Sequence, residues 1–360
     1  MKPLRCAIVG AGHLGKIHTR IARSSAEFEL AVVVDPVEAA RAAVAATHQT
    51  VVDADYHRWI DRVDAAIVAT PTKFHHAVVK DFLSAGKHVF VEKPITSSLT
   101  EAVELVELAR RRRCVLQVGH VERFNPVWQA VGGRFAPPRF IESRREGPFS
   151  FRSTDVGVVL DLMIHDIDLI ASLVGDDVVD VEASGGAWLG KHEDECSARL
   201  RFAGGCTALV HASRVAAAPV RQMRLRTDRE WATLDFQTRT AQITHIDPRL
   251  QRGEIDVEQM TPEERNSLKE RLATECFVRE QIEAPAADAI TAEQLDFAAS
   301  IRQGRRPLVS GEDGLAALRI ARQVIDALAA EVLDDVDRHV VPAPHWMMQS
   351  HAAKLRREAG

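Results

Sequence analysis

Leu4-Arg5-Cys6-Ala7-Ile8-Val9-Gly10-Ala11-Gly12-His13-Leu14-Gly15 is a short apolar run that breaks into a glycine-rich turn. The run is too short for a stable helix and lacks alternation, which predicts a strand buried on both faces. The glycines fit GxGxxG, and a helical pattern follows to about Arg23. A second apolar strand, 29–34, ends at Asp35, about twenty residues beyond Gly15. In this setting the pattern is a dinucleotide-binding turn. Gly10 permits the tight turn, Gly12 lets a pyrophosphate approach the backbone, and Gly15 lets the helix lie close on the strand. His13 and Leu14 belong to the same turn, at a helix start whose N–H groups favour an anion. Asp35 is placed to accept hydrogen bonds from the adenosine ribose hydroxyls. Its carboxylate repels a 2′-phosphate, and Pro36 rather than an arginine follows it. NAD is therefore expected over NADP.

The same rhythm continues outward. The sequence predicts helices over 39–47, 74–85 and 98–112, and strands over 65–69, 88–91 and 115–118. Apolar strands alternating with helices indicate a parallel sheet covered on both faces. Ligands of such sheets lie along the carboxyl edge of the strands. Thr70 and Pro71 end one strand there. Glu92-Lys93-Pro94 ends the next, and His120, Glu122 and Arg123 follow the last. After about residue 135 the pattern changes to strands over 138–144, 178–184, 195–202, 206–214, 220–227, 231–236 and 241–246, with a helix near 159–174. Residues 247–288 are polar and show no clear element, and helical periodicity returns over 291–303 and 313–331. The expected fold class is α/β: an N-terminal Rossmann domain with a parallel sheet, plus an α+β domain with an open, mostly antiparallel sheet. The expected boundaries are 1–125 for the cofactor domain, 126–330 for the substrate and oligomerisation domain, and 331–360 for a C-terminal extension.

Composition limits the partners. The chain has 360 residues, 46% hydrophobic and 27% charged, with a formal net charge of −5. That balance excludes wholesale disorder and argues against nucleic-acid polymers or a membrane surface. No apolar run approaches the ~18 residues of a membrane span. His13 and Lys16 interrupt the first apolar stretch too soon for a signal peptide. The five cysteines form no CxxC pair, as in a reduced cytoplasmic protein.

Two further segments carry chemistry. Asp161 and His165 stand at i and i+4 of a predicted helix and share a face, with Asp168 nearby. An aspartate beside a histidine orients the imidazole and raises its basicity. A buried structural pair is the alternative. A metal site lacks evident further ligands, so no metal is expected. The run Arg110–Arg113 reads as a solvated helix end. Segment 139–152 concentrates Arg139, Arg144, Arg145 and Arg152, whose guanidinium forks suit phosphate.

Together these residues resemble the Gfo/Idh/MocA family of NAD(P)-dependent sugar and polyol oxidoreductases, over roughly residues 3–330. The likeness rests on the glycine turn, Ala69-Thr70-Pro71 with His75, Gly86-Lys87-His88-Val89 leading into Glu92-Lys93-Pro94, Asp161 with His165, and the segment 307–314. The resemblance implies that Lys93 and His165 are catalytic with Asp161 beside them, and that Thr70, Pro71, His75, Glu92 and Lys93 line the cofactor. Gly157-Val158-Val159-Leu160 before Asp161, and Met163 after it, depart from the broad family. With segments 118–126 and 148–155 they look like the branch that oxidises C3 of UDP-N-acetylglucosamine, ahead of a PLP-dependent aminotransferase in lipid A synthesis. That likeness makes Arg123, Asn125, Arg144, Arg145 and Arg152 candidates for the nucleotide sugar. The residues leave open whether His165 or Lys93 takes the hydroxyl proton. Other sugars, inositols, or a non-catalytic NAD-binding regulator are the alternatives. An open sheet needs a cover, so a homodimer or homotetramer is expected.

Overall fold

Apolar runs without alternation must be covered on both faces, and the first half of the chain does this with helices. A computed structural model of the chain describes residues 2–135, 137–151 and 156–337. The first compact unit comprises residues 1–124 and 287–319. Its elements begin with β1 (Leu4–Val9), α1 (His13–Ser24), β2 (Phe28–Val34), α2 (Glu38–His48), β3 (Val52–Asp53) and β4 (Ala65–Val68). They continue with α3 (His75–Ser84), β5 (His88–Glu92), α4 (Leu99–Arg112) and β6 (Leu116–Gly119). The six strands are all parallel, in the order β3-β2-β1-β4-β5-β6. The order reverses at β1, so the ends of β1 and β4 frame the switch point where such sheets hold ligands.

The second unit, residues 125–286 with the chain from 320 onward, is built differently. It begins with α5 (Pro126–Val131), β7 (Phe140–Glu146), a π-helical turn at Val159–Met163, and α6 (Ile164–Val174). The strands β8 (Val178–Gly186), β9 (Glu195–Phe202), β10 (Thr207–Ser213), β11 (Val220–Arg226), β12 (Glu230–Asp235) and β13 (Thr240–Ile246) follow. Then come α7 (Pro248–Gln251), α8 (Pro262–Arg271) and β14 (Phe277–Glu283). The eight strands form one sheet in the order β14-β13-β12-β11-β7-β10-β9-β8. Every neighbouring pair is antiparallel except β7 with β10. Strand β9 alternates buried and exposed positions, the signature of a sheet covered on one face. Ile141, Ser143 and Arg145 of β7 are buried on the face that α6 covers, whereas Arg144 is exposed on the other face.

The sequence reading placed 287–330 with the second domain. The structure returns 287–319 to the first, because α9 (Ala289–Gln303) carries an apolar face that fits the parallel sheet. Phe297 is fully buried and meets the ring of Phe90 edge-on at 6.1 Å. The Gln117 amide donates to the Glu293 carbonyl at 2.8 Å, and the Val118 N–H donates to the Val309 carbonyl at 3.0 Å. The helix α10 (Gly311–Asp337) runs on past 331, where an extension was expected, and residues from 338 lie outside the described residues. Phe297→Ala should therefore destabilise the first unit by ~3–5 kcal/mol in urea unfolding, the usual effect of removing a buried aromatic ring. A loss below ~1 kcal/mol would contradict the packing of α9 in that core.

Candidate active site

The turn after β1 is shaped by two contacts that only glycine allows. Gly10 has φ +106°, and a Cβ there would lie 2.5 Å from the Ala69 carbonyl oxygen. A Cβ on Gly15 would lie 1.9 Å from the Gly10 carbonyl oxygen, so α1 starts directly over the end of β1. Gly12 differs: its missing Cβ faces open space. No side chain caps α1, and its first turn holds no acidic residue, so its free N–H groups and positive end remain available. His13 is exposed and Leu14 half-buried in this turn. Asp35 ends β2 and accepts from the Ala11 and Val37 N–H groups, each at 2.8 Å. Each carboxylate oxygen keeps acceptor capacity for a ribose hydroxyl. The Thr70 hydroxyl, two residues after β4, is buried with no hydrogen-bond partner among the described residues. An open cradle at a bare helix start, an accepting carboxylate and an orphaned hydroxyl on one sheet edge fit a dinucleotide.

Two residues expected to line the cofactor face inward instead. His75 is 1% exposed, with Nδ1 2.9 Å from the Pro94 carbonyl and Nε2 2.8 Å from the Thr70 carbonyl. Burial holds its imidazole below the ordinary value, against the pull of the two carbonyls. The ring lies between the end of β4 and the segment after Lys93, and as a neutral imidazole it donates to one of the two carbonyls. Glu92 is buried and takes His18 Nε2 at 2.8 Å, while its other oxygen accepts from the Lys93 N–H at 3.3 Å. Both residues thus support Lys93, whose side chain is half-buried and whose peptide bond to Pro94 is cis.

Among the described residues, His18, Glu92 and Glu293 form one group close enough to hold a metal, with ligand atoms within 4.8 Å of one another. The hydrogen bonds oppose that use. The Gln294 amide donates to His18 Nδ1 at 2.7 Å, which leaves the ring proton on Nε2, directed at Glu92. A nitrogen that carries its proton has no lone pair for a metal. Burial and the nearby Glu92 charge push Glu293 well above the usual carboxylate range. His18, Glu293 and Gln294 were missed from the sequence, which offers no local motif joining α1 to α9.

In the second unit Asp161 lies in the π-helical turn and His165 in the first turn of α6. Both are half-buried, whereas Asp168 is 1% exposed and faces the core. The π turn that holds Asp161 is a distortion common at functional sites. The arginine segment does not form one anion site. Arg145 is buried and grips the Asp166 carboxylate, with Nη2 2.7 Å from Oδ1. Arg144, on the opposite face of β7, pairs with Glu146 at 2.6 Å. Arg139 pairs with Asp228. Asn125 caps α5 by accepting from the Val127 N–H and donates to the Phe236 carbonyl. Arg123, in the first unit, is largely buried and stands 3.9 Å from Asp313. Arg152 lies outside the described residues. Strand alternation in β7 separates Arg144 from Arg145, a consequence of the pleat that residue clustering alone does not reveal.

Residues 4–120 match the family model described as GFO_IDH_MocA, an oxidoreductase family with an NAD-binding Rossmann fold, and residues 129–232 match the GFO/IDH/MocA C-terminal domain. The UDP-N-acetylglucosamine 3-dehydrogenase of Acidithiobacillus ferrooxidans is 37% identical over 243 residues, 67% of this chain and 77% of the relative. Its solved structure superposes with a TM-score of 0.80 at 33% identity, covering 92% of this chain and 99% of the other. An inositol 2-dehydrogenase of Rhizobium meliloti is 26% identical over 347 residues, 91% of this chain and 97% of the relative. Gly12→Val should leave the melting temperature unchanged but weaken NADH binding at least ~10-fold in a fluorescence titration, because its side chain enters the cradle rather than the core. Unchanged affinity would contradict the assignment of the turn. Asp166→Ala removes a buried counter-charge of Arg145 and should cost ~3–5 kcal/mol in chemical unfolding. A loss below ~1 kcal/mol would return Arg145 to the ligand-binding candidates.

Proposed function

We propose that this chain, which belongs to the Gfo/Idh/MocA oxidoreductase family, oxidises the C3 hydroxyl of UDP-N-acetylglucosamine with NAD. The observation that carries the reading is the 33% identity and 0.80 TM-score to a UDP-N-acetylglucosamine 3-dehydrogenase across 92% of the chain. Asp35 supports NAD over NADP, since a carboxylate at the adenosine ribose repels a 2′-phosphate. When bound, the nicotinamide supplies the hydride acceptor. The chain supplies binding at the Gly10–Gly15 turn and basic groups for the hydroxyl proton. That proton passes to His165 or to Lys93. Where His165 takes it, an ammonium on Lys93 instead stabilises charge developing on the sugar oxygen. Asp161 orients His165. Arg123 and Arg152 remain the candidates for the diphosphate, since Arg144 and Arg145 are committed elsewhere.

In this reading the 3-keto nucleotide sugar passes to a PLP-dependent aminotransferase in the cytoplasm, for 3-amino sugar synthesis toward lipid A. No helix among the described residues is long and apolar enough to cross a membrane. A second copy of the chain is the proposed cover for the exposed sheet face, where Arg199, Leu209, Glu142 and Arg224 lie side by side across four strands. The second reading is an inositol dehydrogenase, favoured by the full-length relative and by the dispersed arginines.

Lys93→Met and His165→Ala should each lower turnover with UDP-N-acetylglucosamine and NAD at least ~10²-fold, the scale of general acid–base catalysis. NAD affinity should change little. Full activity in both variants would contradict the mechanism. Faster NADH formation with myo-inositol than with the nucleotide sugar would favour the second reading.

A further inference from the structure

The helix that carries Asp161 and His165 is held at its start by a residue that neither sequence motif includes. The first N–H groups of a helix have no partner within it and need an outside acceptor. Glu193, just before β9, supplies two acceptors. Its carbonyl takes the Val158 N–H at 2.9 Å, and its side-chain Oε1 takes the Val159 N–H at 3.2 Å. The Asp161 N–H is satisfied next, by the Gly157 carbonyl at 2.9 Å. Gly157 makes room for this grip. A Cβ there would lie 2.0 Å from the Glu193 carboxyl carbon and Oε1. The absence of a side chain at 157, two residues before the π turn, therefore has a specific cause.

The Glu193 backbone is fixed in turn by its neighbour. Asp194 is fully buried and accepts from the Trp188 and Leu189 N–H groups at 2.6 and 2.8 Å. It also takes Arg214 Nε at 2.8 Å. Arg214 Nη1 donates to the Val156 carbonyl at 2.9 Å, and its guanidinium lies over the Phe149 ring. The chain entering the helix is thus gripped from two sides, at Val156 by Arg214 and at Val158–Val159 by Glu193. Burial raises the Glu193 carboxyl from its ordinary value, against the pull of the Val159 N–H and the Arg214 charge.

We propose that Glu193 is a positioning residue, seated against Gly157, that sets the first turn of the helix carrying Asp161 and His165 and thereby their geometry for proton transfer. The proposal rests on the functional reading above, in which those two side chains act on the sugar hydroxyl. Misplacing a reacting group by about 1 Å costs up to ~10²-fold in rate, so a loosened first turn is felt in turnover.

The test compares Glu193→Ala, Glu193→Gln and Gly157→Ala in the full chain. Glu193→Ala should lower kcat at least ~10-fold while the KM for NAD and NADH affinity stay unchanged, because the cofactor turn lies in the other unit. Gly157→Ala should do the same, by driving the carboxyl away. Glu193→Gln retains an acceptor oxygen and should recover kcat to within ~3-fold of the parent. Amide hydrogen exchange at Val159, whose acceptor is the Glu193 side chain, should accelerate ~5-fold or more in Glu193→Ala and Gly157→Ala, but not in Glu193→Gln, as expected from loss of a helix cap. Parent-like exchange in both alanine variants would overturn the proposal. So would an equal loss of kcat in Glu193→Gln and Glu193→Ala. A parent enzyme inert toward every nucleotide sugar and inositol would overturn the functional reading instead, and the exchange measurement would still decide whether Glu193 holds the turn.

Discussion

The placement of α1 over the end of β1 is the constraint on which the rest of the first unit depends. The Gly10 carbonyl stands where a Cβ of residue 15 would be, at 1.9 Å. No side chain of any kind fits, and no small backbone shift relieves a clash that deep. Once that approach is made, the bare helix start faces the carboxyl edge of the sheet. Asp35, Thr70 and Lys93 lie on that edge because β2, β4 and β5 all run parallel to β1. The cofactor site is thus a consequence of one tight turn and the parallel order around it.

Behind that edge lies a layer of buried polar groups bonded to one another and to the backbone. Gln294 fixes the His18 tautomer, His18 donates to Glu92, and Glu92 accepts from the Lys93 backbone. His75 bridges Thr70 and Pro94 from the other side. These hydrogen bonds hold the backbone on either side of Lys93, which suits a residue that must present its side chain at a defined place. The second unit repeats the principle with different parts, where Glu193, Asp194 and Arg214 grip the entrance of a helix.

The parallel half was legible because its strands are apolar runs punctuated by glycine and proline. Leu4–Val9, Ala65–Val68 and His88–Glu92 fall where those runs predict them. The antiparallel strands were legible from alternation, as in Glu195–Phe202. Strand β14 was not, because an edge strand pairs on one side only and keeps charged residues such as Arg279, Glu280 and Glu283. The return of α9 to the first unit was equally hidden, since an apolar helix face does not declare which sheet it will cover. The glycine turn between β1 and α1, with Asp35 directly after β2, was readable from spacing, and the helical segment that holds Asp161 and His165 from its apolar periodicity. The inward turn of His75 and Glu92 and the separation of Arg144 from Arg145 were not, because they depend on contacts made across the fold.

The central claim is that hydride leaves C3 of UDP-N-acetylglucosamine for NAD on this chain. The most direct measurement uses the nucleotide sugar deuterated at C3, with the reduced cofactor isolated and its nicotinamide analysed by mass spectrometry. Each turnover should place the deuterium on the reduced nicotinamide. Reduced cofactor carrying only protium, or no reduction with this sugar while an inositol is oxidised, would contradict it.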